Sequence, residues 1–269
     1  MSRLPVKLMA FDLDGTLVGD DLTIRPRVRE AIAAAQARGV IGCLVTGRMF
    51  RSALPFARAL NFEAPIICYQ GAAIIDPQSD EVLQHIALSS ALALEVADLA
   101  RGDGKHVQIY ANDNYYCEHA NRFSALYAHV SAVNPIIVPS LHEQFRFSDA
   151  TKVVIIDEPA VIEAYVRKVQ AQFDGRAYVT RSYSQFIEVM NSAVDKGVAL
   201  RFVANQLDIP MSQVLAVGDA WNDIPLLEAA GIGIAMGSGP PELKAIADGE
   251  VADVAGDGVA QAIERCVLA

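Results

Sequence analysis

Short apolar runs recur along the chain, separated by longer segments whose apolar residues fall three and four apart. The run VKLMAF at 6–11 is apolar apart from Lys7, which predicts a short strand buried on both faces of a parallel sheet. Behind it Val28, Ile32 and Ala35 keep helical spacing, with Thr23 placed to cap the helix, Pro26 in its first turn and Gly39 at its end. The strand VIGCLV at 40–45, a helix over 52–60 and a strand with a glycine break within PIICYQGAAII at 65–75 extend this to three strand-helix units. The texture changes near Asp76. From 81 to about 185 the strand-like stretches HVQIYAND, YYCEH, TKVVII and AYVTRSYSQFIEVM mix with helices near 91–100, 122–130 and 160–173, as in an α+β unit. After Met190 the first texture returns, with a helix over 196–206, the strand VLAVGD, a helix ending near Ala230, the strand GIGIAMG and a closing helix over 259–266. The expectation is an α/β protein: a doubly wound parallel sheet built from 1–81 and 187–269, with an α+β domain of 82–186 inserted into it.

Composition narrows the function. The chain has 269 residues, 52% of them hydrophobic, enough to bury a core in one large or two modest domains. A formal net charge of -10, with no cluster of Lys and Arg, argues against nucleic acid as a partner. Cys43, Cys68, Cys117 and Cys266 are widely spaced, with no metal-ligand pattern, and read as reduced thiols. Asp12 stands too near the first residue for a signal peptide, and no apolar stretch is long enough for a bilayer, so a soluble cytoplasmic protein is expected.

The candidate chemistry lies where apolar runs end. In FDLDGTL, Asp12 and Asp14 are two residues apart and point to the same side of an outgoing strand. Gly15 permits a sharp turn, and the Thr16 hydroxyl is placed to bond the turn's own backbone. Thr46 follows the second strand, Lys196 opens a helix, and GDAWND at 218–223 follows a later strand. Parallel strands deliver these ends to one edge, where open α/β sheets bind ligands. Three or more acids there repel one another unless a hard cation sits among them, and Mg2+ favours oxygen ligands.

DLDGT, the Thr of LVTGR, Lys196 of DKG and GDAWNDIPLLEAAG resemble, in order, the four motifs of the haloacid dehalogenase-like phosphohydrolases. The resemblance covers both end segments and is closer to the Cof-type group, whose inserted α/β cap follows the second motif. It implies a Rossmann-like core and a phosphoric monoester hydrolase that uses Mg2+. Asp12 would be the nucleophile, forming an aspartyl-phosphate, and Asp14 the general acid and base, with Thr46 and Lys196 completing the catalytic set. Metal would be held by Asp12, Asp14 through its carbonyl, Asp219 and Asp223; substrate by Thr46, Gly47, Arg48, Gly71, Lys196 and Asn222. Two roles stay open for Asp223, metal contact or support of Asp219 and Lys196, and two for Asn222, orienting that network or capping the next helix. Trp221 reads either as packing or as a wall of the site. GSGPP at 237–241 lacks the ending of a nucleotide loop and reads as a turn before a helix.

Two positions depart from the group's usual pattern: Gln70 stands where Asn precedes the glycine, and Ser238 follows AMG. In the inserted domain Tyr110, Asn112, Tyr115, Tyr116, Arg122 and Lys152 are candidates for selecting a ligand, though such residues also pack sheets. The expected partner is a small phosphorylated metabolite of the sugar phosphate, pyridoxal phosphate or flavin mononucleotide class, bound by a monomer or homodimer. A phosphotransferase or phosphomutase would use Asp12 identically. A phospho-receiver signalling module also sets strand-end acids beside a Thr and a Lys, but needs neither the insertion nor Asp14.

Overall fold

The computed structural model describes residues 5–269; residues 1–4 of the expected first domain lie outside them. The chain separates into two compact units. One comprises the segment up to Gly47, Ala53–Leu83 and Asp195–Ala269, the other Arg48–Ser52 and Gln84–Val194.

The first unit is built on a five-stranded sheet in the order Gly249–Glu250, Ile232–Ala235, Val214–Gly218, Leu8–Phe11, Ile41–Leu44. Every pairing is parallel. Leu8–Phe11 is central and wholly buried, which is why its sequence is apolar on both faces rather than alternating. Leu8 and Ala10 pack with Cys43, Val45, Val214 and Ala216 beneath Ala199, Leu200 and Val203 of the helix Lys196–Gln206. Phe11, on the opposite face, stacks on Phe62 at 6.1 Å; burying such a ring contributes roughly 1.5–3 kcal/mol. Phe11 lies in register with both Leu44 and Val217, so the residues after these three leave the sheet at one edge. The turn at Gly237–Pro240 leads, as expected, into the helix Pro241–Ile246.

Two local expectations are corrected. The helix Pro26–Ala37 has Arg25 at its N-cap position with no side-chain cap; the Thr23 hydroxyl instead donates to the Asp21 carboxylate. The third strand-helix unit is a hairpin: Ile66–Cys68 turns through Tyr69–Gly71 and returns antiparallel as Ala73–Ile75. Its glycine break is therefore a reversal of the chain.

The second unit carries a six-stranded sheet in the order Ala177–Thr180, Phe186–Asn191, Lys152–Ile156, His106–Ala111, Asn114–Cys117, Ile136–Ile137. Its pairings are antiparallel except the last. Because Phe186–Asn191 pairs with Lys152–Ile156, this unit continues to Val194, a few residues past the boundary expected at 186. One sheet face, with Val107, Ile109, Val153, Ile155, Ile187 and Val189, packs on the helices Ser90–Gly102 and Pro159–Phe173. Side-chain alternation turns Gln108, Tyr110, Lys152 and Glu188 to the other face. No helix among the described residues is long and apolar enough to cross a membrane.

Candidate active site

The edge at which the parallel strands end gathers buried charge. Asp12 follows the central strand, its N–H donating to the Val217 carbonyl at 3.0 Å, and the residue is only 5% exposed. Lys196, the first residue of its helix, is fully buried and places Nζ 2.5 Å from Asp12 Oδ1 and 2.6 Å from Asp223 Oδ1. That helix is started by Asp195, whose carboxylate accepts from the Val198 N–H at 2.7 Å, so the cap and the lysine arrive together. Asp223 is held from its other oxygen: Oδ2 accepts from the N–H groups of Asp219 (2.9 Å) and Ala220 (3.0 Å). Carboxylate oxygens of Asp12, Asp219 and Asp223 lie within 4.8 Å of one another.

Thr16 does more than close its turn. Its hydroxyl donates to Asp219 Oδ1 at 2.8 Å, linking the first acidic segment to the last. Gly15, at φ +85°, lies so close that a Cβ there would sit 2.2 Å from Asp219 Oδ2. Any side chain at 15 would therefore collide with the carboxylate as well as strain the backbone.

The electrostatics are unbalanced toward negative. Burial, partly offset by Lys196, raises the Asp12 carboxyl well above the ordinary carboxylate range, with Asp223, Asp219 and Asp14 adding to the rise. Burial raises Asp219 to about 7, reinforced by Asp223 and opposed by the Thr16 hydrogen bond. Burial works against the Lys196 ammonium, yet Asp12 and Asp223 outweigh it and keep it charged well above the usual lysine range. One buried cation thus faces two buried carboxylates and a half-buried third, a donor set of hard oxygens short of positive charge.

The remaining expected residues divide between the units. Thr46 is buried, its N–H on the Ile67 carbonyl at 2.8 Å and its carbonyl accepting from the Gln70 N–H at 3.0 Å. Thr46, Gly47, Gly71 and Asn222 belong to the same unit as the acids, whereas Arg48 falls in the second unit and donates to Ser52 Oγ at 3.2 Å. Asn222 is buried and donates from Nδ2 to Gln70 Oε1 at 3.0 Å. Trp221 is 40% exposed.

In the second unit Lys152 is buried against Glu188 (2.5 Å) and lies 4.9 Å from the Tyr110 ring centre, with Tyr115 and Tyr127 closing an aromatic cluster. Tyr116 packs edge-on against Phe145. Arg122 pairs with Glu158 at 2.8 Å near the surface, and the Asn112 carbonyl accepts from Asn114 at 2.9 Å.

Over residues 9–263 the chain matches the haloacid dehalogenase-like hydrolase family. It belongs to that family. Over 265 residues, 96% of each chain, it is 30% identical to the 5-amino-6-(5-phospho-D-ribitylamino)uracil phosphatase YitU of Bacillus subtilis. It is 27% identical to the pyridoxal phosphate phosphatase YbhA of Escherichia coli, over 97% of this chain and 98% of that one. The crystal structure of a haloacid dehalogenase-like hydrolase from Bacteroides thetaiotaomicron superposes with a TM-score of 0.84 at 26% identity, covering 97% of this chain and 99% of that one. Within the haloacid dehalogenase-like hydrolases the chain is therefore a phosphatase of the Cof-type group.

Proposed function

We propose that this chain hydrolyses small phosphomonoesters through an aspartyl-phosphate on Asp12, with Mg2+ as cofactor. The observation that carries the reading is the buried Lys196 held between Asp12 and Asp223, at the edge where Asp219 also arrives. Lys196 engages Asp12 Oδ1, which steadies the carboxylate and leaves Oδ2 to attack phosphorus in line. The ester oxygen departs with a proton from Asp14. Asp14 then takes a proton from water, which attacks the phosphorus and returns Asp12 as a carboxylate. A carboxylate about 4 Å from each of two phosphate charges is opposed by roughly 8 kcal/mol at an effective dielectric near 20, so fixed positive charge and donors are needed. Lys196, Thr46 and Asn222 supply part of them.

The chemistry of the acids fits a hard cation. Asp12, the Asp14 carbonyl and Asp219 would hold it, and the metal would supply charge neutralisation of the phosphoryl group. Asp223 is better read as support, since Oδ1 is taken by Lys196 and Oδ2 by two backbone N–H groups. The first unit is read as the catalytic core and the inserted unit as the domain that sets which esters are accepted. Names of relatives suggest pyridoxal phosphate and a phosphorylated ribitylaminouracil as first candidates, and sugar phosphates and flavin mononucleotide complete the panel.

Phosphate release from that panel should require Mg2+, stop with EDTA and recover on adding metal. Release that is unaffected by EDTA would sink the metal assignment. Release only when a sugar acceptor is present would move the reading to a phosphotransferase.

The pH dependence of stability tests the same cluster. Asp219 has its folded pKa raised to about 7, so the stability tied to its proton is present below the unfolded value near 4 and is lost as pH rises through about 7. A bound cation removes that loss. The rise in Tm on adding Mg2+ should therefore grow from pH 5 to about pH 8; a shift equal at both ends would contradict the assignment.

A further inference from the structure

We propose that Gln70 is a positioning residue that acts through Asn222, holding one end of its amide so that the other is presented to the phosphoryl group of the ligand. This inference rests on the phosphatase reading above. Asn222 is buried, its Nδ2 donates to Gln70 Oε1 at 3.0 Å, and its Oδ1 is buried with no hydrogen-bonding partner among the described residues. A buried amide end without a partner costs roughly 1–3 kcal/mol, so a place for a ligand atom is its natural explanation. A half-turn of an amide exchanges its oxygen and nitrogen, and turning both amides together preserves the bond between them. Against a phosphoryl oxygen the NH2 end of Asn222 faces the ligand, and Gln70 donates to Oδ1. An amide at 70 serves either arrangement, which an aliphatic side chain cannot.

The turn that carries Gln70 is built for this task. Tyr69, Gln70 and Gly71 have consecutive φ values of 52°, 61° and 102°. Such left-handed backbone costs of order 1–3 kcal/mol at non-glycine residues and persists only where surroundings enforce it. The surroundings here are the other site segments. Gln70 N–H is bonded to the Thr46 carbonyl at 3.0 Å, and a Cβ on Gly71 would lie 2.5 Å from the Asp195 carbonyl, next to Lys196. One turn thus meets the segments bearing Thr46, Lys196 and Asn222, and the Gln70 side chain bonds the Asn222 amide directly.

The test is a double-mutant cycle on the full chain with Gln70→Met, Asn222→Ala and the double variant, read as affinity for inorganic phosphate in Mg2+ by calorimetry. Gln70→Met should weaken phosphate about 10-fold when Asn222 is present and less than about twofold when it is absent, the loss expected of one hydrogen bond to a charged group. Equal losses in both backgrounds, no loss in either, or wild-type protein that binds no phosphate would overturn the proposal. Should Gln70→Met fail to fold, Gln70→Asn, which shortens the reach by one methylene, takes its place in the cycle with the same criteria. Ester turnover is followed in parallel. A non-additive phosphate cycle without turnover of any ester would sink the phosphatase reading and keep Gln70; turnover with an additive cycle would do the reverse.

Discussion

Replacing Asp12 by Asn is expected to abolish phosphate release, by about 10^4-fold or more, while leaving the fold intact or firmer. Losing a nucleophile removes the covalent route altogether, and losses of this size are characteristic of residues that act as one catalytic unit. Misfolding would give the same kinetic result, but the electrostatics separate the two. Burial and three neighbouring acids hold the Asp12 carboxyl well above the ordinary range, which means that its charge opposes folding at neutral pH. The neutral amide removes that cost, and Lys196 keeps Asp223 as partner. Thermal melts in EDTA at about pH 8 should show a Tm no lower than that of the unaltered protein. Residual turnover above about 1%, with no contaminating phosphatase in a mock preparation, would show that the nucleophile lies elsewhere.

The site was legible because its acids follow strands whose burial forces a continuous apolar run. LMAF and VLAVG stand out against helical spacing, and the polar residue that ends each run is delivered to one edge by parallel register. Asp12 and Asp219 could be gathered that way; Lys196 opens a helix instead, and its place beside them came from the motif resemblance. Side-chain partnerships could not be read this way. Nothing in DGT says that the Thr16 hydroxyl crosses to a residue about two hundred positions away, because the same hydroxyl can bond its own turn. The pairing of Gln70 with Asn222 was equally hidden; only the replacement of the usual Asn marked the position. The hairpin at 66–75 was missed because an apolar run has no period that tells one strand from two. The glycine behind a polar residue in YQG was the available signal. Thr23 misled through an Asp two residues earlier that claims its hydroxyl.

Lys196→Met should destabilise the protein by about 3–5 kcal/mol near neutral pH, as well as eliminate turnover. The side chain is fully buried and is the cation bonded to both Asp12 and Asp223. Methionine fills a similar volume, so the loss is electrostatic rather than a cavity: two carboxylates remain buried with no countercharge, the costly way to break a buried ion pair. The effect must depend on pH. Asp12, already raised by burial, rises further without the ammonium, so the folded variant takes up a proton that the unfolded chain releases. Stability from that proton is present at low pH and is lost as pH increases, so the deficit measured by urea unfolding should be smallest near pH 5 and largest near pH 8. Mg2+ should recover part of the deficit at the higher pH by replacing the missing positive charge, and should recover none of the catalytic loss if Lys196 also positions Asp12 for attack. A deficit that is flat across this range would mean that the lysine stabilises the fold by packing alone, and the electrostatic account of the site would fail with it.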